Sequence, residues 1–348
     1  MTTVLDCSGV GPGGITRVLT EVVRHWPAGR RLTLVAVPED WQPPAGTSAD
    51  LAVRSRQGGG RERTIAAATA ALRRETAGAA SVLSLSPSLA VVGSRHPVTT
   101  IVHDLAFRLW PTGLGKAQLH YRRVSYATAI GRSARLLCVS ARTRHDLAGL
   151  YDVPATRTTV WHPGSDLRVG PGTLPPSLAA LRARGAGYLL VAGHAPHKGV
   201  ELAIEAMTDL PAYALAVLTG GSRVPQFAAA AERSPAADRI VFLDRLIDSD
   251  YAAALAGAAA FLMPSHFEGF GLPAVEALRL GTPTVISPDP ALHEATGAAA
   301  ARMTTWSAAA LVEAVTAVTA AERPVPQASR SWREATGDLV ALIDTPAA

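Results

Sequence analysis

The segment Glu268-Gly269-Phe270-Gly271-Leu272-Pro273-Ala-Val-Glu276 sets two carboxylates around a glycine loop, with seven residues between them. It follows a short apolar run, Ala258–Met263, that reads as a buried strand closed by Pro264. Gly269 and Gly271 let backbone N–H groups approach a ligand closely. Pro273 suits the first turn of a helix and Gly281 its end. A glycine loop feeding a helix N-terminus makes an anion site, because backbone N–H groups and the helix dipole point the same way. Paired carboxylates can serve glycoside hydrolysis. Glu276, one turn inside a helix beside an anion site, is better suited to accepting two hydroxyls of a ribose.

A second group is Gly193-His194-Ala-Pro196-His197-Lys198-Gly199, after the strand-like run Tyr188–Ala192 and before an amphipathic helix over 200–207. Lysine is rare in this chain: Lys116 and Lys198 stand beside 31 arginines. In such a turn a lysine can grip a phosphate as a point charge. His194 and His197 have a metal-like spacing, but no third ligand lies near in sequence and Pro196 breaks a helical register, so no metal is expected. His103-Asp104 follows the run Thr99–Val102, where a histidine at the C-terminal end of a parallel strand points into the ligand crevice. There it could donate to a sugar hydroxyl or a developing charge. Gly9-Val-Gly11-Pro12-Gly13-Gly14 matches G-x-G-x-x-G, and Glu39 and Asp40 follow the second strand, which admits a dinucleotide reading. The first strand ends early, at Asp6, and Pro12 stiffens the turn. A glycine loop opening a helix at Ile15 and meeting an acceptor or phosphate is the preferred reading.

The elements that must position these residues alternate along the chain. Strand-like runs are Val4–Asp6, Leu32–Val37, Val82–Leu85, Thr99–Val102, Arg135–Val139 and Thr158–Trp161, then Tyr188–Ala192, Tyr213–Leu218, Arg239–Leu243, Ala259–Met263 and Thr284–Ile286. Helix-like stretches between them argue for parallel sheets covered on both faces. The expected fold is α/β, with two Rossmann-like doubly wound parallel-sheet domains facing a cleft. The boundaries read as an N-terminal domain over 1–165, a Gly/Pro-rich linker over 166–178, a C-terminal domain over 179–325, and a last helix within 326–348 that packs back toward the N-terminal domain. Gln57-Gly-Gly-Gly60, flanked by arginines, reads as a mobile loop. In the helical stretch 116–135, Leu119, Val124 and Ala127 read as a core-facing stripe.

Composition bounds the rest. At 348 residues, 48% hydrophobic and 18% charged, the chain is globular. Cys7 and Cys138 show no CxxC spacing and read as reduced thiols of a cytosolic protein. No signal peptide is evident, and the longest apolar run is too short to span a bilayer. Residues 1–170 carry 21 Lys/Arg against 11 Asp/Glu, and residues 171–348 carry 12 against 17. No aromatic–basic interleaving supports nucleic-acid binding. A peripheral place at an anionic membrane stays open but is not favoured, since no long basic amphipathic helix exposes Trp or Phe.

Taken together these residues resemble the family-4 glycosyltransferases of GT-B architecture, over nearly the whole chain. Glu268-Gly-Phe-Gly-Leu-Pro-Ala-Val-Glu276 is similar to that family's E-x7-E signature. Pro196-His-Lys198-Gly, Val102-His103-Asp104-Leu, Val139-Ser140-x-x-Thr143-x-x-Asp146-Leu, Trp161-His-Pro163-Gly164-Ser-Asp166 and Gly13-Gly14 resemble further family segments. The resemblance implies retaining transfer of a hexose from a GDP-, UDP- or dTDP-sugar to a hydroxyl of a glycan, lipid or small molecule, without metal. It implies Lys198 on the pyrophosphate, Glu268 on the hexose and Glu276 on the ribose. Backbone groups of Gly269, Phe270, Gly271 and Leu272 would meet sugar and phosphate, and Arg245 and Leu246 would flank the base. His103 would face the donor sugar, Gly14 would contribute to the donor site, and Gly13 and Asp104 to the acceptor site. The family's usual arginine four residues before the lysine is His194 here, with Arg223 a candidate substitute. Alternatives are a non-catalytic GT-B partner, a nucleotide-sugar epimerase and an NAD oxidoreductase.

Overall fold

The computed structural model describes residues 2–47, 49–167, 172–183, 187–221 and 224–345. It divides into two compact units, Met1–Gly164 with Arg330–Ala348, and Ser165–Ser329.

The first unit holds a seven-stranded sheet of β1 (Thr2–Asp6), β2 (Arg31–Val35), β3 (Asp50–Val53), β4 (Ser81–Ser84), β5 (Val98–Val102), β6 (Ser133–Cys138) and β7 (Thr158–Val160). Their order is β3-β2-β1-β4-β5-β6-β7, with every neighbouring pair parallel. The second unit holds β8 (Gly187–Ala192), β9 (Tyr213–Leu218), β10 (Ile240–Leu243), β11 (Ala260–Met263), β12 (Thr284–Ile286) and β13 (Ala301–Arg302), ordered β10-β9-β8-β11-β12-β13 and again all parallel. Central strands such as β5 and β11 are buried along their whole length, so their sequences read as continuous apolar or β-branched runs. Strand order reverses between β1 and β4 in one sheet and between β8 and β11 in the other. At these points adjacent connections leave toward opposite faces, which opens a crevice at the carboxyl ends. Among the described residues no helix is long and apolar enough to cross a membrane.

Two strands lie outside the runs read from sequence. β3 is a short edge strand with no fully buried residue, and β13 has only two residues, so neither carries a usable apolar pattern. The helix Lys116–Arg132 keeps Leu119 of the expected stripe, partly buried against the core, but corrects the rest: Val124 is 41% exposed and Ala127 is exposed, while Ser125, Ala129 and Ile130 are buried. The small side chains of Ser125 and Ala129 allow close packing, and Ser125 Oγ donates to Pro87 O at 3.3 Å. In the segment 57–60, Gln57 Nε2 donates to the carbonyls of Cys7 and Val10, each at 3.0 Å, while Gly58, Gly59 and Gly60 are exposed. Of the expected linker, residues 168–171 lie outside the described residues, and its last residues begin the helix Pro176–Ala183.

The last helix, Trp332–Asp344, starts on a Ser331/Glu334 capping box and belongs to the first unit. Trp161 Nε1 donates to Ala335 O at 2.8 Å, and the Arg30 guanidinium makes two 2.6 Å bonds to Asp344. Gly164 lies under this helix: a Cβ there would come 2.3 Å from Trp332 N and 2.4 Å from its Cα. Both are backbone atoms and cannot rotate away. Gly164→Ala is expected to cost about 1–3 kcal/mol and to lower the thermal midpoint, with faster hydrogen exchange along the last helix. An unchanged midpoint would contradict this packing.

Candidate active site

In the second unit the β8/β11 reversal brings two loops together. The first leaves β8 through Gly193, His194 and Ala195, makes one 3-10 turn at Pro196–Lys198, and enters the helix Val200–Ala206 through Gly199. Gly199 has φ 72°, and a Cβ there would come 2.1 Å from Pro264 O, so only glycine fits against the second loop. That loop leaves β11 at Pro264 and enters the helix Leu272–Arg279 at Gly271, whose φ is 98°. His266 N donates to His197 O at 2.7 Å and ties the two loops. Trp306 Nε1 donates to Pro264 O at 2.6 Å while its ring stacks on His266.

Lys198 and Glu268 meet at this junction. Lys198 Nζ lies 2.8 Å from both Glu268 oxygens, with the Glu268 side chain 6% exposed and the Lys198 side chain 22% exposed. Glu276 is buried in the helix that follows, and Tyr251 Oη donates to its Oε2 at 2.9 Å. Tyr251 comes from the first turn of the helix Asp248–Gly257. The sequence reading missed it, since a single tyrosine after Asp248-Ser249-Asp250 at a helix start carries no spacing signal. Arg245 and Leu246 lie between β10 and that helix; Arg245 is exposed, and Leu246 packs against the core. Gly269, Phe270, Gly271 and Leu272 form the loop and helix start as read. His194 is held below the ordinary imidazole range by burial and by the Lys198 ammonium, against the opposing pull of Glu268. Arg223 lies outside the described residues.

The first unit carries its own cluster at the β1/β4 reversal. Asp6 ends β1 fully buried; its Oδ1 accepts from Ser8 N at 3.0 Å and Ser8 Oγ at 2.6 Å, and its Oδ2 from Ser84 Oγ at 2.8 Å. Ser8 Oγ also lies 2.6 Å from Ser88 Oγ. This network, unread in the sequence, joins the glycine loop after β1 to the loop after β4. Burial raises the Asp6 carboxyl above its ordinary range, opposed by the Ser8 and Ser84 hydrogen bonds. Gly13, with φ 98°, caps the helix Gly14–Arg24, and Gly13 and Gly14 are both exposed.

His103 corrects one expectation. Its Nε2 sits 2.8 Å from Leu85 O, and a carbonyl can only accept, so Nε2 carries the proton and donates to the backbone. Burial holds the ring below the ordinary imidazole range. The neutral ring therefore offers Nδ1 as an acceptor rather than a donor to a hydroxyl. Asp104 Oδ1 accepts from Ala106 N at 2.9 Å and starts the short helix Ala106–Leu109. The Tyr126 ring lies tilted against Phe107, with ring centroids 4.5 Å apart. Cys7 and Cys138 are buried, and burial pushes the Cys138 thiol up to about 12, so neither is poised as a nucleophile. Among the described residues no cluster of three or more His, Cys, Asp or Glu could hold a metal ion.

His103, His194 and His266 are all depressed below 6.5 by burial. Below that pH the unfolded chain binds more protons than the folded one, so stability falls as pH drops through the imidazole range. Denaturant unfolding across pH 7 to 5 should show that loss, and His103→Gln should flatten it; an unaltered slope in that variant would contradict the buried neutral ring.

Comparison with known proteins finds family matches for both units. The family described as Glycosyltransferase Family 4 matches residues 12–169, and Glycosyl transferases group 1 matches residues 184–335. The O-antigen chain mannosyltransferase B of Escherichia coli is 30% identical over 209 residues, covering 57% of this chain and 55% of that protein, so the match spans about half of the relative's length. Sucrose-phosphate synthase of Thermosynechococcus elongatus superposes with a TM-score of 0.70 at 16% identity, covering 99% of this chain and 94% of that one. Anabaena HepE in complex with UDP and glucose does so with a TM-score of 0.67 at 16% identity, covering 99% and 95%. With two family matches in succession along it and two parallel α/β sheets, the chain belongs to the family-4 glycosyltransferases of GT-B architecture.

Proposed function

We propose that the protein is a retaining hexosyltransferase, moving a hexose from a nucleotide sugar to a hydroxyl of a glycan, lipid or small-molecule acceptor. The observation that carries this reading is the Lys198–Glu268 pair beside a glycine loop and a helix start, with Glu276 buried in the helix that follows. It combines a cation for a diphosphate, a buried carboxylate for sugar hydroxyls and a second one for a ribose. A mannosyltransferase among the relatives and a structural neighbour in complex with UDP and glucose support the donor class.

In this reading the first helical N–H groups after Gly271 and the Lys198 ammonium stabilise charge on the departing diphosphate. Lys198 supplies the counter-charge that a metal gives elsewhere, so the proposal requires no metal. Glu268 accepts from hexose hydroxyls and Glu276, steadied by Tyr251, from the ribose. Gly269 and Phe270 bring backbone to sugar and phosphate, and Arg245 and Leu246 border the base. The anomeric carbon passes through an oxocarbenium-like state, and the leaving phosphate oxygen takes the acceptor's proton. Within the first unit, His103 Nδ1 is assigned to accept from a sugar hydroxyl, Gly14 to the donor, and Gly13 and Asp104 to the acceptor.

A second reading, a non-catalytic protein of the same fold, rests on His194. Its imidazole is held toward neutrality, which leaves the phosphate grip with less charge than an arginine supplies. Nucleotide binding without turnover alongside any acceptor would support it.

Lys198→Ala is expected to lower kcat by about 10²–10³ with the fold retained by circular dichroism. Near-normal turnover would remove Lys198 from this role. Tyr251→Phe should weaken the bound nucleoside diphosphate by roughly three- to tenfold, and its 2′-deoxy analogue less, since the bond that orients Glu276 is lost. Equal losses for both would argue that Tyr251 acts on the fold and not through the ribose.

A further inference from the structure

Glu268 is 5% exposed, and the Lys198 ammonium stands against both its carboxylate oxygens at 2.8 Å. In such a pair the costly state is one in which a partner leaves and the other stays buried and charged. We propose that this ion pair makes the site favour the intact nucleotide sugar over the free nucleoside diphosphate that transfer releases. The inference rests on the assignment of Lys198 to the diphosphate and Glu268 to the hexose.

An incoming diphosphate draws the ammonium toward its own oxygens. A nucleotide sugar compensates the carboxylate at once, because hexose hydroxyls donate to Glu268 as Lys198 turns away. A nucleoside diphosphate brings the same anion without those hydroxyls, so Glu268 is left buried and facing a like charge. The released product is therefore held more weakly than Lys198 and the helix start alone would hold it. Re-forming the ion pair then favours its departure. His194, which feels both Lys198 and Glu268, lies toward its neutral form and adds little positive charge to offset the buried carboxylate.

Glu268→Gln tests this, since glutamine keeps the shape and a hydroxyl-accepting carbonyl but carries no charge. Isothermal titration with UDP, GDP and dTDP, and with their glucose or mannose conjugates, compares it with the wild type. The nucleoside diphosphate that the wild type binds should bind Glu268→Gln about tenfold tighter, a shift of about 1.4 kcal/mol, while its sugar conjugate gains nothing or weakens. Glu268→Ala should tighten the diphosphate in the same direction, which guards against a single misfolded variant. Unchanged or weaker diphosphate binding in both folded variants overturns the proposal. If Lys198→Gln meanwhile loses diphosphate affinity, the site assignment survives that failure. If Lys198→Gln binds like the wild type, or the wild type binds no nucleoside diphosphate, the assignment falls and the proposal with it.

Discussion

A carboxylate almost wholly shielded from water needs a cation or a set of hydrogen-bond donors to keep its charge, and Glu268 finds Lys198 seventy positions away in the sequence. The rest of the second unit follows from that requirement. Lys198 reaches Glu268 because Gly199 turns the chain directly behind it, against the carbonyl of Pro264, where no side chain fits. Glu268 is in place because β11 ends at Pro264 and the helix restarts at Gly271. The His266–His197 backbone bond and the Trp306 cover lock the two loops in one register. The strand reversal between β8 and β11 makes room for both loops at one point.

The first unit meets the same topological problem with a neutral solution. Its loops at the β1/β4 reversal are joined by Asp6 and the hydroxyls of Ser8, Ser84 and Ser88, not by an ion pair. A buried carboxylate with three hydrogen-bond donors needs no counter-ion to stay ordered. The same loop after β4 presents Leu85 O, which selects the tautomer of His103. One carbonyl thus decides whether that ring gives or accepts a proton at Nδ1. Both sites therefore rest on backbone placed by strand ends, with side chains adjusting the charge.

The sequence made the central strands and the chemically active loops legible, because burial on both faces leaves continuous apolar runs and the loops carry Gly, Pro and paired carboxylates. Tyr213–Leu218 and Thr284–Ile286 are strands at the bounds read from sequence. The edge strands β3 and β13 were not legible, since an edge neither buries both faces nor needs length. The stripe on the helix Lys116–Arg132 was legible only in part: Leu119 packs against the core as read, but close packing placed the small Ser125 and Ala129 inside and left Val124 outside. The Asp6 network and Tyr251 escaped notice for a related reason. Their partners lie 78 and 25 residues away, and single serines or a tyrosine carry no spacing signal. The proton on His103 was unreadable until the carbonyl facing it was known.

The central claim is that the second unit is a nucleotide-sugar site gripped at diphosphate and ribose. Thermal shift with GDP, UDP and dTDP, wild type beside Glu276→Ala, tests it most directly. One nucleotide is expected to stabilise the wild type, with that stabilisation lost in the variant. Stabilisation by none of the three, or by one that Glu276→Ala retains in full, would contradict the account.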